Sequence, residues 1–375
     1  MHTLSKRALG RLLTLAVPSL MTVFSACEQR AVPQAAEPPC FAVEFRLGDA
    51  PEVRTPGTDA SEPRTSGAQD RGTRATGVQP SEETQVNGWT LCVYRLSDGQ
   101  LAAAGSAASS ASVTRPLPAG AYRAVAVVNP PASFDASAFL TESALEGQTA
   151  FLADNARGAL EMYGALSFTL GEGPASVAIQ ASRLVSKVLL RKVTLRLTDA
   201  GLAALPFTLD AIYLDNVPSR TAWGEDPDYS GLDSDRARWY NAMGWHAPGS
   251  CTSPACPDAL LGDRNIGAQI VQGGSHRTEY TYYSLPNPTP ASADTREATW
   301  AKRATRLVIE ARIGSQTQYY VASLPEMARN HSYVIEEAVI TGLGAADPET
   351  ETPNSLALLF SVADDGWEDG GTIIL

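Results

Sequence analysis

The sequence predicts an all-β protein built from two consecutive β-sandwich domains, transthyretin-like or Greek-key in type, with a short helix and one long irregular insertion. Three observations predict it. The chain has 375 residues, too many for one ordinary domain and suited to two. Gly (30) and Pro (25) together exceed one residue in seven, a turn density that favours many short strands over helical bundles. Apolar residues also recur at every second position in segment after segment. Hydrophobic residues make up 44% and charged residues 19%, enough for packed cores and incompatible with global disorder. No fixed-period repeat is present.

Residues 1–27 read as an address. Lys6, Arg7 and Arg11 are followed by an apolar run over residues 12–24 and then by Phe24-Ser25-Ala26-Cys27. The run is too short to span a bilayer comfortably. It resembles a bacterial lipoprotein signal with Cys27 as the lipidated residue; a plain secretory signal is the alternative. Either one exports the chain and permits disulfides.

Residues 28–87 are rich in Pro, Ser, Thr, Gly, Glu and Arg and show no helix pattern, and residues 28–74 of this stretch are propeptide-like. One island alternates: Phe41-Ala-Val43-Glu-Phe45-Arg-Leu47, a strand with one buried face. Residues 48–74 then read as a flexible linker whose only cations are Arg54, Arg64, Arg71 and Arg74. Such a linker offers sites to an Arg-specific protease and none to a Lys-specific one. Charge marks the same border. Residues 1–74 hold nine Lys and Arg against eight Asp and Glu, which leaves 20 against 33 for the rest of a chain whose net charge is −12. A surface this acidic repels phosphate, so nucleic acid is not an expected partner.

The body divides into an N-terminal domain over residues 75–180 and a C-terminal domain over 181–375. In the first, Trp89-Thr-Leu91-Cys-Val93-Tyr94 alternates into the turn Ser97-Asp98-Gly99-Gln100, and residues 124–128 form a buried strand. Residues 139–155 are the best helix candidate, and residues 177–179 are strand-like. Further strands fall at 187–197, 207–214, 278–283, 306–313, 318–323, 333–341, 356–362 and 372–375, with an irregular insertion at 218–265. Cys251 and Cys256 close a short loop suited to a local disulfide. His246 nearby makes zinc conceivable, but one ligand is missing, and no metal or cofactor is expected. Cys92 falls on the polar-phase face of its strand, beside Thr90 and Tyr94.

Three stretches converge on a resemblance. The first is Arg74-Ala75-Thr-Gly77-Val78, Ser81-Glu-Glu83-Thr-Gln-Val86 and Trp89-Thr-Leu-Cys-Val-Tyr94. The second is Leu117-Pro-Ala-Gly120-Ala-Tyr122 with Val125-Ala-Val-Val-Asn129. The third is Arg329-Asn330-His331-Ser-Tyr333, Ile340-Thr341-Gly342-Leu-Gly344, Asp347-Pro348 and Val362-Ala-Asp-Asp-Gly-Trp367. Tyr282-Tyr283-Ser-Leu285-Pro286-Asn287 adds a weaker fourth. Together they resemble the Bacteroidales fimbrillins, the shaft subunits of type V pili, over nearly the whole chain. The resemblance implies export as an outer-membrane lipoprotein and cleavage by an Arg-specific protease at Arg74↓Ala75, with Arg71 as a competitor. It further implies loss of the first strand, then homopolymerisation into an extracellular adhesive fimbrium as the next subunit's C-terminal strand fills the vacated groove.

The residues suit that mechanism on physical grounds. Phe41, Val43, Phe45 and Leu47 are four apolar positions at period two, and so are Leu356, Leu358, Phe360 and Val362. Burying four such side chains is worth roughly 6–12 kcal/mol gross. An emptied groove also leaves two unpaired strand edges, a directional receptor for an added strand, and head-to-tail contacts of this kind grow filaments. Residues 372–375, carrying Ile373 and Leu375, are a second candidate donor that ends at the last residue and is free to leave. No catalytic residues are expected, because nucleophile–base sets and Gly-rich phosphate loops are absent. Asp226-Pro-Asp228-Tyr-Ser230-Gly231 starts like a calcium loop, but Ala237 stands where a bidentate Glu is needed. Asn330-His331-Ser332 is formally a glycosylation sequon. Trp223, Trp239, Trp245 and Trp300 could stack on sugars, although packing is the expected role. A tip or anchor subunit and a surface glycan-binding lipoprotein are the rival readings.

Overall fold

The computed structural model describes residues 38–48, 52–54, 80–224, 239–240, 258–291, 304–361 and 367–369. These residues form two pairs of sheets. In the first sheet, β1 (Cys40–Leu47) lies between β5 (Val113–Pro118) and β9 (Ala175–Ile179), and β2 (Glu52–Arg54) adds to the far side of β9. The second sheet runs β10 (Ser182–Arg183), β8 (Met162–Leu170), β6 (Gly120–Val128), β3 (Gly88–Arg95), β4 (Leu101–Ala108).

The third sheet runs β18 (Ser275–His276), β12 (Val193–Leu195), β22 (His331–Ile340), β11 (Ser186–Leu190), β19 (Tyr280–Ser284). Two tail strands, β23 (Leu356–Ser361) and β24 (Glu368–Asp369), also pair with β22. The fourth sheet runs β17 (Gly262–Gln269), β13 (Phe207–Asp215), β20 (Arg306–Ile313), β21 (Gln316–Ser323). Two ribbons complete the pairing. One joins β7 (Thr149–Phe151) to β15 (Arg220–Ala222), and the other joins β14 (Val217–Pro218) to β16 (Trp239–Tyr240).

Alternation along the strands builds the cores. Val43 and Phe45 of β1, Leu91 and Val93 of β3, Ala124 and Ala126 of β6, and Val177 and Ile179 of β9 form one buried cluster between the first two sheets. A larger cluster joins the third and fourth sheets through Val188, Leu190, Leu209, Ile212, Leu307, Ile309, Tyr333 and Ile335. Two β-sandwiches result, as the pattern of short strands predicts.

Several local expectations are corrected. Residues 139–155 are not one helix. Thr141 caps a single turn, α2 (Glu142–Glu146), whose C-cap is Gly147, and the chain then turns into β7. The stretch 187–197 breaks between β11 and β12, which pair with successive parts of β22. The linker over 48–74 contains a strand, β2, paired with β9. The end of the 218–265 insertion is regular: α3 (Asp258–Leu261) leads into β17. Before β3, residues read as irregular include a helical turn, α1 (Pro80–Glu83).

Cys92 is also corrected. It is fully buried on the outer face of the second sheet, where Tyr94, Val125, Val127, Leu145 and Trp223 form a further cluster. Burial pushes its thiol up to about 11, which keeps it protonated and unreactive. No disulfide joins it to the exposed Cys40.

Candidate functional site

β1 is the organising strand of its sheet. It runs antiparallel to β5, pairing Val43 with Arg115 and Phe45 with Val113, and parallel to β9, pairing Val43 with Ala175 and Leu47 with Ile179. Gly48 N–H continues that ladder to the Ile179 carbonyl at 3.1 Å. Val43 and Phe45 are fully buried, while Phe41 and Leu47 are half-buried against the same cluster. The Phe45 ring meets Phe168 edge-on at 5.7 Å, and Tyr122 stacks on Phe168 at 5.6 Å. Tyr122 Oη in turn donates to the Pro118 carbonyl at 2.8 Å, fixing the bottom of β5.

Among the described residues of this sheet, β5 pairs only with β1, and β9 pairs only with β1 and β2. Both β1 and β2 precede Arg74. A cut there would detach the strands on which the sheet depends, leaving β5 and β9 with no ladder between them. The vacancy would be a slot with two bare backbone edges above an apolar floor.

At the other end of the chain, β23 runs antiparallel along β22 from Leu356 opposite Ile340 to Ser361 opposite Val334. Leu356 and Leu358 are buried in the larger core, Phe360 is half-buried, and Leu359 is 51% exposed. β24 then pairs with the start of β22 in parallel, at His331 and Ser332. Cys27, Arg74, Ala75, Cys251, Cys256, Val362, Ile373 and Leu375 lie outside the described residues. So do Arg71, His246, Trp245, Trp300 and the acidic stretch 226–237. The other two tryptophans singled out, Trp223 and Trp239, are buried.

The Arg329-Asn330-His331-x-Tyr333 motif is a structural staple. Arg329 donates to the carbonyls of Ala222 (3.1 Å), Trp223 (3.2 Å) and Gly224 (2.6 Å). Asn330 takes the left-handed conformation at φ 58°, and its Oδ1 accepts from Arg183 Nη1 at 3.1 Å. Tyr333 Oη donates to the Glu326 carbonyl at 2.6 Å and accepts from Ala328 N–H at 2.8 Å.

A buried polar knot escaped the sequence reading. Glu83, at the end of α1, is almost fully buried and pairs with Lys187 Nζ at 3.0 Å. Its carboxylate also accepts from Tyr283 Oη at 2.7 Å and from Trp367 Nε1 at 2.8 Å. Its carbonyl accepts from Arg183 Nε at 2.9 Å. The Trp367 indole lies beneath Arg183 at 4.2 Å and Lys187 at 4.8 Å. Burial, and after it the charge of Glu83, push the Tyr283 hydroxyl far above its ordinary range, so it remains a proton donor. The only advance signal is compositional, since Lys187 is one of four lysines in the chain.

No family model matches the chain, and no curated protein matches its sequence. Solved structures do match. A candidate cell adhesion protein from Bacteroides eggerthii shares 15% identity and a TM-score of 0.56, covering 86% of this chain and 95% of its own. A fimbrillin from Porphyromonas gingivalis shares 16% identity and a TM-score of 0.52, covering 85% of this chain and 95% of its own. The chain has the fimbrillin fold. A candidate cell adhesion protein from Parabacteroides distasonis has it too, at 14% identity and a TM-score of 0.53 over 89% of this chain and 99% of its own. Identities this low speak to fold alone.

Proposed function

We propose that the chain is a non-enzymatic subunit of an extracellular adhesive fimbrium, exported as an outer-membrane lipoprotein on Cys27 and polymerised by strand exchange. An Arg-specific protease cuts after Arg74, β1 and β2 leave together, and the C-terminal tail of the next subunit enters the slot between β5 and β9. The two domains are residues 75–180, which receive the strand, and 181–375, which donate it. The observation that carries this reading is the position of β1: an interior strand joined to the body only through a segment with Arg as its sole cations. The fimbrillin fold supports the same reading. An incoming strand would have to supply the two side chains that β1 buries completely, Val43 and Phe45, worth roughly 3–6 kcal/mol together. It would also restore two ladders of backbone hydrogen bonds.

The test is assembly in solution. Precursor cut by an Arg-specific protease is expected to form oligomer ladders that resist mild denaturant, and deletion of residues 356–375 is expected to abolish them. Cut protein that stays monomeric and fully folded at high concentration would refute the proposal.

A further inference from the structure

Trp367 and Glu83 sit at the junction of the two events that the proposed strand exchange requires. Glu83 follows the Arg74 site by nine residues, and Trp367 lies between the two candidate donor segments. The indole is buried, is held by Glu83 Oε2 at 2.8 Å, and is covered by the cationic groups of Arg183 and Lys187. β23 cannot act while it stays there. β23 precedes Trp367, so an anchored indole would tether the strand at both ends. In sequence, residues 372–375 carry two apolar residues at period two, Ile373 and Leu375, against the four at Phe41, Val43, Phe45 and Leu47. Filling the slot therefore draws on the segment that contains Trp367.

We propose that the pocket of Glu83, Arg183, Lys187 and Tyr283 is the docking site of the chain's own tail, with Trp367 as its anchor, and that cleavage after Arg74 weakens it. This rests on the strand-exchange reading. Before cleavage, the chain that leads into α1 begins at β2, which is paired with β9 in the first sheet. After cleavage, α1 is a single turn just inside a new chain end. A lone turn has little stability of its own, and chain ends fray. Glu83 accepts three side-chain hydrogen bonds in the knot, from Lys187, Tyr283 and Trp367. Fraying α1 would take the shared acceptor away, and the indole would lose its only described hydrogen bond. Loosening the tail is thereby timed to the opening of the groove, so an uncut subunit does not offer its tail prematurely.

Hydrogen–deuterium exchange on the full precursor tests this, read at residues 356–361 and 367–369 with β20 and β21 as internal controls. Cutting at Arg74 is expected to speed exchange in the tail by about tenfold or more and to leave β20 and β21 unchanged. Uncut Trp367→Ala should match the cut wild type. Uncut Glu83→Gln with Lys187→Met, which removes the charge pair as a unit, should loosen the tail independently of the indole substitution. Unchanged tail protection in both variants overturns the anchor, and unchanged protection on cutting overturns the coupling. Fibres are scored separately. A tail that loosens on cutting without fibres supports the docking site and counts against strand exchange.

Discussion

Phe45 and Val43 are the side chains on which the precursor's first sandwich closes. Replacing Phe45 by Ala leaves a cavity against Phe168 and should lower precursor stability by about 3–5 kcal/mol in chemical denaturation. The same substitution should leave an assembled fibre untouched, because the proposed cut removes β1 from it. Glu161 gives a second expectation. It is fully buried, its Oε2 accepts from Asn155 Nδ2 at 3.2 Å, and its Oε1 has no hydrogen-bond partner among the described residues. Burial, with the Asp154 charge adding to it, pushes its carboxyl up to about 8. A raised carboxyl keeps its proton in the folded chain when the unfolded chain has lost it. Its stabilising contribution is therefore complete below the unfolded value of 4.5 and is lost as pH rises towards about 8. Denaturation midpoints should fall across that window by at most about 1.4 kcal/mol per pH unit, and Glu161→Gln should flatten the slope.

At the scale of elements, the proposed exchange requires β1 to be a separable ligand. A chain lacking residues 38–54 should bind a synthetic peptide of residues 38–48 and gain thermal stability from it, whereas the peptide carrying Phe45→Asp should do nothing. The Arg329 fork makes a different prediction. Three carbonyls in and beyond β15 depend on it, so Arg329→Ala should cost about 1–3 kcal/mol, and Lys should not restore the loss because it lacks the planar fork.

Strands whose apolar residues alternate cleanly, such as β1, β3 and β23, are legible in the sequence. β2 is not, because Glu52-Val53-Arg54 has a single apolar residue and no period. The 139–155 stretch misleads because its apolar content suits a helix while Thr141 and Gly147 confine the helix to one turn. Cys92 misleads because Trp89, Leu91 and Val93 already define a buried face. The layer over the opposite face comes from Leu145 and Trp223, too distant in sequence to show in a two-residue period. The Glu83 knot joins residues 104 and 284 positions apart and has no local pattern at all.

Over the whole molecule, the fold places β1 and β23 in different sandwiches and gives each a similar task. β1 completes the N-terminal core, and β23 seals the edge of β22 in the C-terminal core. Exchange between molecules would swap one apolar alternation for another, with the driving force coming from the vacated slot. The acidity that follows Arg74, 20 basic residues against 33 acidic, makes trimmed subunits repel one another. Assembly should therefore quicken as added salt screens them. The most direct measurement is the N-terminal sequence of the protein stripped from assembled surface fibres. A start at Ala75, with β1 and β2 absent, is the predicted result. A start at lipidated Cys27, with the first strand still in place, would contradict the account.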